Sequence, residues 1–155
     1  MRYLVIFSTF ISFALLSCSG ETLSPEEQFQ EDIRIIKQYL TDNNLTADST
    51  TAGLHYIITT EGTGGHPNLQ SSVKVKYKGY LTDGTVFDET TGNETITFPL
   101  SNLIEGWQIG IPLLKKGGKG TFLLPSAIGY GPSGSSSGSI PPNAVLIFEI
   151  ELVDF

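Results

Sequence analysis

The 155 residues contain one cysteine and two histidines, and nothing in the chain sets either type beside a partner. A lone cysteine has no internal disulfide to close. His55 and His66 lack any Cys or His at metal-ligand spacing, which argues against a metal site, and no Ser/His/Asp or Cys/His arrangement offers an activated nucleophile. Basic residues are scarce as well, with nine Lys and Arg against sixteen Asp and Glu. An acidic surface repels nucleic acid phosphates and anionic lipid headgroups, so neither is expected as a partner. Gly117-Gly118-Lys119-Gly120-Thr121 has the flavour of a phosphate loop, but Leu113 stands where the first glycine belongs and Gly120 follows the lysine. Asn44-Leu45-Thr46 and Asn93-Glu94-Thr95 match the glycosylation tripeptide and read as chance matches.

One apolar run is present. Tyr3 to Leu16 follows Met1-Arg2, is shorter than the roughly 20 residues that span a bilayer, and reads as a signal peptide over residues 1–17. It ends in Leu15-Leu16-Ser17-Cys18, which resembles a bacterial lipobox. In lipoproteins of that kind the signal is cut before the cysteine, which then carries acyl chains. The plainer alternative is an ordinary secretory signal with a stray Cys18, which leaves an unpaired thiol in an oxidising compartment. Ser19 after the cysteine resembles lipoproteins sorted to the outer membrane, implying a lipid-anchored protein of the bacterial cell envelope, on the periplasmic face or the cell surface. Loss of residues 1–17 removes Arg2 and no acid, leaving eight basic and sixteen acidic residues and a net charge of −8.

Residues 18–53 read as a tether containing an amphipathic helix at about 25–41. Ser24 is a good N-cap, Pro25 suits the first helical position, and Glu26 and Glu27 complement the helix dipole. Phe29, Ile33, Ile36 and Leu40 recur at helical spacing, and Ile35 and Tyr39 widen the stripe. This stripe either packs on its own domain or serves as a homodimerisation or client-contacting arm. Thr46 to Gly53 is small and polar and reads as a linker.

Beyond it, over residues 54–155, the period changes to two. Val73, Val75 and Tyr77 alternate with Lys74, Lys76 and Lys78, a half-buried strand whose lysine row reads as a solubility and edge-protection device. Leu54 to Thr60, Gly120 to Leu124 and Val145 to Val153 are further strands, the last with Leu146, Phe148, Ile150 and Leu152 on one face and Glu149 and Glu151 on the other. Asp83-Gly84 marks a hairpin. Only Leu103 to Leu114 has helical character here, and Pro112 truncates or kinks it. The pattern is α+β, an antiparallel sheet with one short helix against it, preceded by the N-terminal helix.

The remaining signal is a set of aromatic and aliphatic residues in Gly/Pro punctuation: Val73-Lys-Val-Lys-Tyr77-Lys-Gly79, Asp83-Gly84-Thr-Val-Phe87-Asp88, Ile104-Glu-Gly106-Trp107, Gly129-Tyr130-Gly131, Ile140-Pro141-Pro142 and Phe148. In order and spacing they resemble the FKBP-type peptidyl-prolyl cis-trans isomerases, over about Gly53 to Phe155. The resemblance implies a twisted sheet wrapped around the short helix, with an apolar pocket between them and no cofactor. It implies Xaa-Pro segments of exported or unfolded proteins as substrates, and certain macrolides as further ligands. By motif the pocket comprises Tyr77, Phe87, Asp88, Phe98, Leu103, Ile104, Trp107, Tyr130, Ile140 and Phe148. Tyr77, Asp88, Trp107 and Tyr130 are the expected catalytic set. The Trp107 indole is the floor for the proline ring, the Tyr130 hydroxyl donates to a substrate carbonyl, and Asp88 orients polar groups beside Tyr77 rather than acting as a base.

Read singly, Phe87, Phe98, Phe148, Leu103 and Ile104 could equally be core residues, and Asp88 a turn residue. Ile96 stands where many relatives have a second aromatic ring, which implies weaker macrolide binding. The loop Gly131 to Ser139 is unusually small and polar for the flap over the pocket, and its chain entropy implies mobility and broad sequence preference. Two functions fit: an isomerase that carries exported proteins past slow X-Pro steps, or a non-catalytic chaperone or binding module that holds Pro-containing segments in the same pocket.

Overall fold

The computed structural model describes residues 23–155, so the apolar run of residues 1–17 and the lipid-site candidate Cys18 lie outside the described residues. Helix α1 spans Pro25–Asp42 and begins with the interactions its sequence encodes. The Glu27 N–H donates to the Ser24 hydroxyl oxygen at 3.3 Å, and the Glu27 carboxylate accepts from the Ser24 N–H at 2.9 Å. These reciprocal bonds satisfy two of the amides that every helix start leaves unpaired. The helix stops at Asn43 and Asn44, the latter in the left-handed region with φ of 53°, while the Leu45 N–H returns to the Leu40 carbonyl.

Seven strands follow: β1 (Asp48–Ser49), β2 (His55–Thr60), β3 (Ser72–Leu81), β4 (Val86–Glu89), β5 (Ile96–Pro99), β6 (Lys119–Leu124) and β7 (Leu146–Asp154). They form one antiparallel sheet in the order β1-β2-β6-β7-β3-β4, with β5 sharing the outer side of β3 with β4. Helix α2 (Glu105–Gly110) lies across the concave face. This is the α+β arrangement the periodicity predicts. Inward-facing Leu146, Phe148, Ile150 and Leu152 of β7 join Val73, Val75, Phe122 and Leu124 beneath α2 to make the main core.

The convex face explains α1. Ile36 and Leu40 pack there on Leu123, Val145 and Ile147, with Ile33, Ile35 and Tyr39 at the margin. Ile147 shares its strand face with Glu149 and Glu151 yet is fully buried, because α1 covers that end of the sheet. The apolar stripe of α1 is thus accounted for within its own chain. The segment that reads as a linker is drawn into the same structure: Asp48 and Ser49 pair with Tyr56 and His55. Gly53, at φ +80°, admits the Phe29 ring of α1 so closely that a Cβ would sit 2.7 Å from Cζ. The substitution-free space at Gly53 is therefore a requirement of helix docking as well as of the turn.

Strand β3 is not an edge, so its lysine row does not guard one; Lys76 and Lys78 instead stand opposite Glu151 and Glu149 of β7. Opposite charges across a ladder favour this register. The hairpin at Asp83-Gly84 forms, with Gly84 at φ +87° and the Leu81 N–H donating to Thr85 at 2.9 Å. Within Leu103 to Leu114 the regular helix is confined to α2, and Pro112, which has no N–H to donate, sits in the tight turn Ile111–Leu113 that ends it.

Candidate active site

The concave face and α2 enclose a pocket of about 420 Å³. Its floor is Trp107, only 5% exposed. Three rings meet the indole edge to face: Tyr77 at 5.1 Å between centroids and 82°, Phe148 at 5.3 Å and 90°, and Phe98 at 6.3 Å and 85°. Phe87 repeats the geometry on Phe148 at 5.5 Å and 81°. Such arrangements set the positive ring edge against the negative ring face, and each contributes about 0.5–1.5 kcal/mol beyond area burial. Together they fix the plane of the indole. The Trp107 Nε1–H is buried with no hydrogen-bond partner.

Each wall comes from a different element. Tyr77 projects from β3, Phe87 and Asp88 from β4, Phe98 from β5 and Phe148 from β7, while Leu103 and Ile104 lead into α2 and Tyr130 and Ile140 come from the long β6–β7 connection. The structure therefore brings every residue of the sequence-derived pocket to one cavity. Gly79 makes the aromatic wall possible: a Cβ there would lie 2.6 Å from the Phe87 ring and 2.8 Å from that of Phe148. Ile96 is not part of the wall; it is 39% exposed at the start of β5.

At the rim the Tyr77 hydroxyl donates to Asp88 Oδ2 at 2.6 Å, a short charge-assisted bond. Burial foremost, then this bond and the Asp88 charge, push the phenol far above its ordinary range. Tyr77 thus keeps its proton at any physiological pH and acts as a fixed donor. His55 and His66 stand apart from the pocket, each bonded through Nδ1 to a backbone carbonyl, of Gly53 at 2.9 Å and of Leu114 at 3.1 Å. Among the described residues no three His, Cys, Asp or Glu side chains cluster as metal ligands would.

Three lining residues escaped the sequence reading: Ser135, Ser137 and Ser139. Their hydroxyls meet at 2.9–3.3 Å, and Ser135 also accepts from the Ile140 N–H at 2.9 Å. The Ser135 N–H donates to the Ile140 carbonyl at 3.0 Å and the Asn143 N–H to that of Gly131 at 2.9 Å. The flap, read as loose from its composition, is folded back on itself. The run Ser135-Ser136-Ser137-Gly138-Ser139 was the signal available, hidden because it looks like polar filler.

A pocket of this build, with an aromatic floor and a polar rim, has counterparts among known proteins. The family profile of the FKBP-type peptidyl-prolyl cis-trans isomerases matches residues 64–153. The probable FKBP-type isomerase FkpA of Neisseria meningitidis is 46% identical over 106 residues, covering 68% of this chain and 39% of the relative. FkpA of Escherichia coli K12 is 39% identical over 107 residues, again 68% of this chain and 39% of the relative. The chain thus matches well under half the length of these curated relatives. The crystal structure of E. coli FkpA superposes with a TM-score of 0.71 at 34% identity, over 83% of this chain and 61% of that one. A peptidyl-prolyl cis-trans isomerase from Pseudomonas syringae gives 0.70 at 28% identity, over 87% and 98%. With the profile spanning more than half of its residues, and the fold and pocket agreeing, the chain belongs to the FKBP-type peptidyl-prolyl cis-trans isomerase family.

Proposed function

We propose that the chain is an active prolyl isomerase of the bacterial cell envelope. The observation that carries this is the caged indole of Trp107 lying beneath the Tyr77–Asp88 hydrogen bond, a proline-sized apolar floor with aligned polar groups at its rim. An Xaa-Pro bond rotates over about 18–20 kcal/mol because twisting breaks amide resonance, and it takes tens to hundreds of seconds unaided. The twisted amide is less charge-separated than the planar one. A dry aromatic pocket therefore favours it over the planar form, and that difference in binding is the catalysis. No proton need move.

In this reading the proline ring rests on Trp107 between Phe148, Phe98 and Ile140. Tyr130, 41% exposed at the mouth, donates its hydroxyl to a substrate carbonyl and fixes the register. Asp88, held by Tyr77, stays near the carbonyl that turns and orients it. After removal of the signal segment 1–17, an acylated Cys18 would tether the domain at the membrane, where exported chains pass, and its substrates would be their Pro-containing segments.

The test is isomerisation of an Xaa-Pro reporter peptide by the chain from Ser19 onward, with Asp88→Leu as control. Acceleration that the variant loses supports the enzyme and its pocket together. A folded protein that binds the peptide, with Trp107 emission as the reporter, yet does not accelerate the step is instead a binding module.

A further inference from the structure

The most unusual polar contact lies outside the pocket, on α1. Asp32 is fully buried, one of few polar side chains in this position among the described residues. One carboxyl oxygen accepts from the Ser126 N–H at 2.7 Å and from the Ser126 hydroxyl at 2.6 Å, and the other accepts from the Gln28 side-chain amide at 2.7 Å. Burying a carboxyl group is costly unless its oxygens are satisfied, and here both are. A hydrophobic residue would suffice merely to attach a helix to a sheet.

The location of Ser126 gives the contact its meaning. It opens the tight turn Ser126–Ile128 directly after β6, and no side chain within that turn caps its first amide. Asp32 does so from α1. On one side this turn supports the pocket floor: a Cβ on Gly106, beside Trp107 in α2, would lie 3.1 Å from the Ile128 carbonyl oxygen and 2.2 Å from Leu124. On the other side the turn runs through the Gly129 N–H, bonded to the Ser126 carbonyl at 2.9 Å, straight into Tyr130. The floor and the rim donor thus share one short turn, and that turn is clamped from the convex side of the sheet.

We infer that Asp32 is a positioning residue for the isomerase site: through Ser126 it sets the Ser126–Ile128 turn and so the placement of Tyr130. This rests on the isomerase reading above, and α1 becomes a part of the active-site support rather than a spacer. Displacement of a catalytic group by about 1 Å can cost on the order of 100-fold in rate. A turn that loses its clamp but keeps its neighbours shifts less, so Asp32→Ala should lower kcat/KM by roughly tenfold. Asp32→Asn should keep most activity, because its amide oxygen can accept both Ser126 bonds while Gln28 turns its own amide to match.

The experiment uses the full-length chain in mild detergent and compares wild type, Asp32→Ala, Asp32→Asn and Ser126→Ala, each in the Tyr130 and Tyr130→Phe backgrounds. Reporter-peptide kinetics are paired with amide hydrogen exchange over residues 125–131. The expected result is a loss in Asp32→Ala, rescue by Asn, and a loss of less than about twofold once Tyr130→Phe is present, since coupled residues are not additive. Exchange should quicken in 125–131 in Asp32→Ala and stay slow in Asp32→Asn. Ser126→Ala keeps the backbone bond and makes the same comparison if Asp32→Ala unfolds. Wild-type kcat/KM and protection in folded Asp32→Ala, or an equal loss in both backgrounds, overturns the inference. An inactive wild type refutes the isomerase reading alone, and the exchange data then decide whether Asp32 orders the turn.

Discussion

Removing the indole of Trp107 is the sharpest test of how the pocket works. Trp107→Ala empties an aromatic-sized space in the core, which costs about 3–5 kcal/mol from transfer and cavity terms. The structure supplies a check on that range. Three edge-to-face contacts at about 0.5–1.5 kcal/mol each are lost together with nearly the whole ring's burial, because only 5% of the residue is exposed. The upper part of the range is therefore expected, against a total stability of roughly 5–15 kcal/mol for a domain of this size. Trp107→Phe keeps a ring, and a shorter one cannot meet Tyr77, Phe98 and Phe148 at once, so it should cost roughly 1–2 kcal/mol. Urea unfolding followed by circular dichroism measures both. At a urea-free temperature where both variants are folded, Trp107→Phe should retain weak isomerase activity and Trp107→Ala should lose at least tenfold, equivalent to about 1.4 kcal/mol of transition-state binding. A folded Trp107→Ala that isomerises the reporter peptide at the wild-type rate would refute the floor and the reasoning built on it.

Other outcomes follow from single contacts. Tyr77→Phe frees Asp88 from its 2.6 Å bond and should lower kcat/KM severalfold, with little change in the urea midpoint because Asp88 is exposed. Tyr130→Phe should act on the reporter peptide and leave stability within about 0.5 kcal/mol, as expected of a partly exposed residue. Tyr77 and Tyr80 both have phenols raised above the ordinary range in the folded state, burial being the first cause in each. A raised folded value makes the stabilisation complete below the unfolded pKa of about 10 and removes it as pH climbs past that point, so urea midpoints should be flat from pH 7 to 9 and fall above about 10. The double variant Tyr77→Phe/Tyr80→Phe should flatten that fall. Gly134→Ala should disorder the flap, since Gly134 lies at φ +66° and its Cβ would meet the Ile140 carbonyl oxygen at 2.3 Å; faster hydrogen exchange over 131–143 measures it.

Periodicity made the long elements legible. The helix start at Ser24-Pro25 and the inward row of β7 could be read because one buried face imposes a fixed spacing. Strands β1, β4 and β5 were harder: they have two to four residues, sit at sheet margins and carry mixed side chains, so no face repeats long enough to register. The lysine row misled for a related reason. Alternation in β3 shows which face is wet but not which strands lie beside it, and the partners of Lys76 and Lys78 are found 75 and 71 positions later, on β7. The pocket residues were recovered as a set by resemblance, since each alone is an ordinary aromatic or aliphatic side chain.

What no local pattern could supply is the relation between the two faces of the sheet. Asp32 stands three residues after Phe29 and four before Ile36, inside the apolar stripe of α1, where a carboxylate signals a buried partner without saying which, and Ser126 follows a proline in a short turn. Their meeting across 94 positions depends on where β6 ends and on how α1 is held by Ile36 and Leu40 against Leu123 and Ile147. The apolar stripe therefore does more than bury surface: it sets the height of Asp32 along the sheet end, so that a polar bond of fixed length can reach the turn. A shift of α1 by one helical turn, about 5.4 Å, would leave both Ser126 donors buried and unpaired. The helix register is fixed by packing on the convex face, and its consequence is felt at Tyr130 on the concave one.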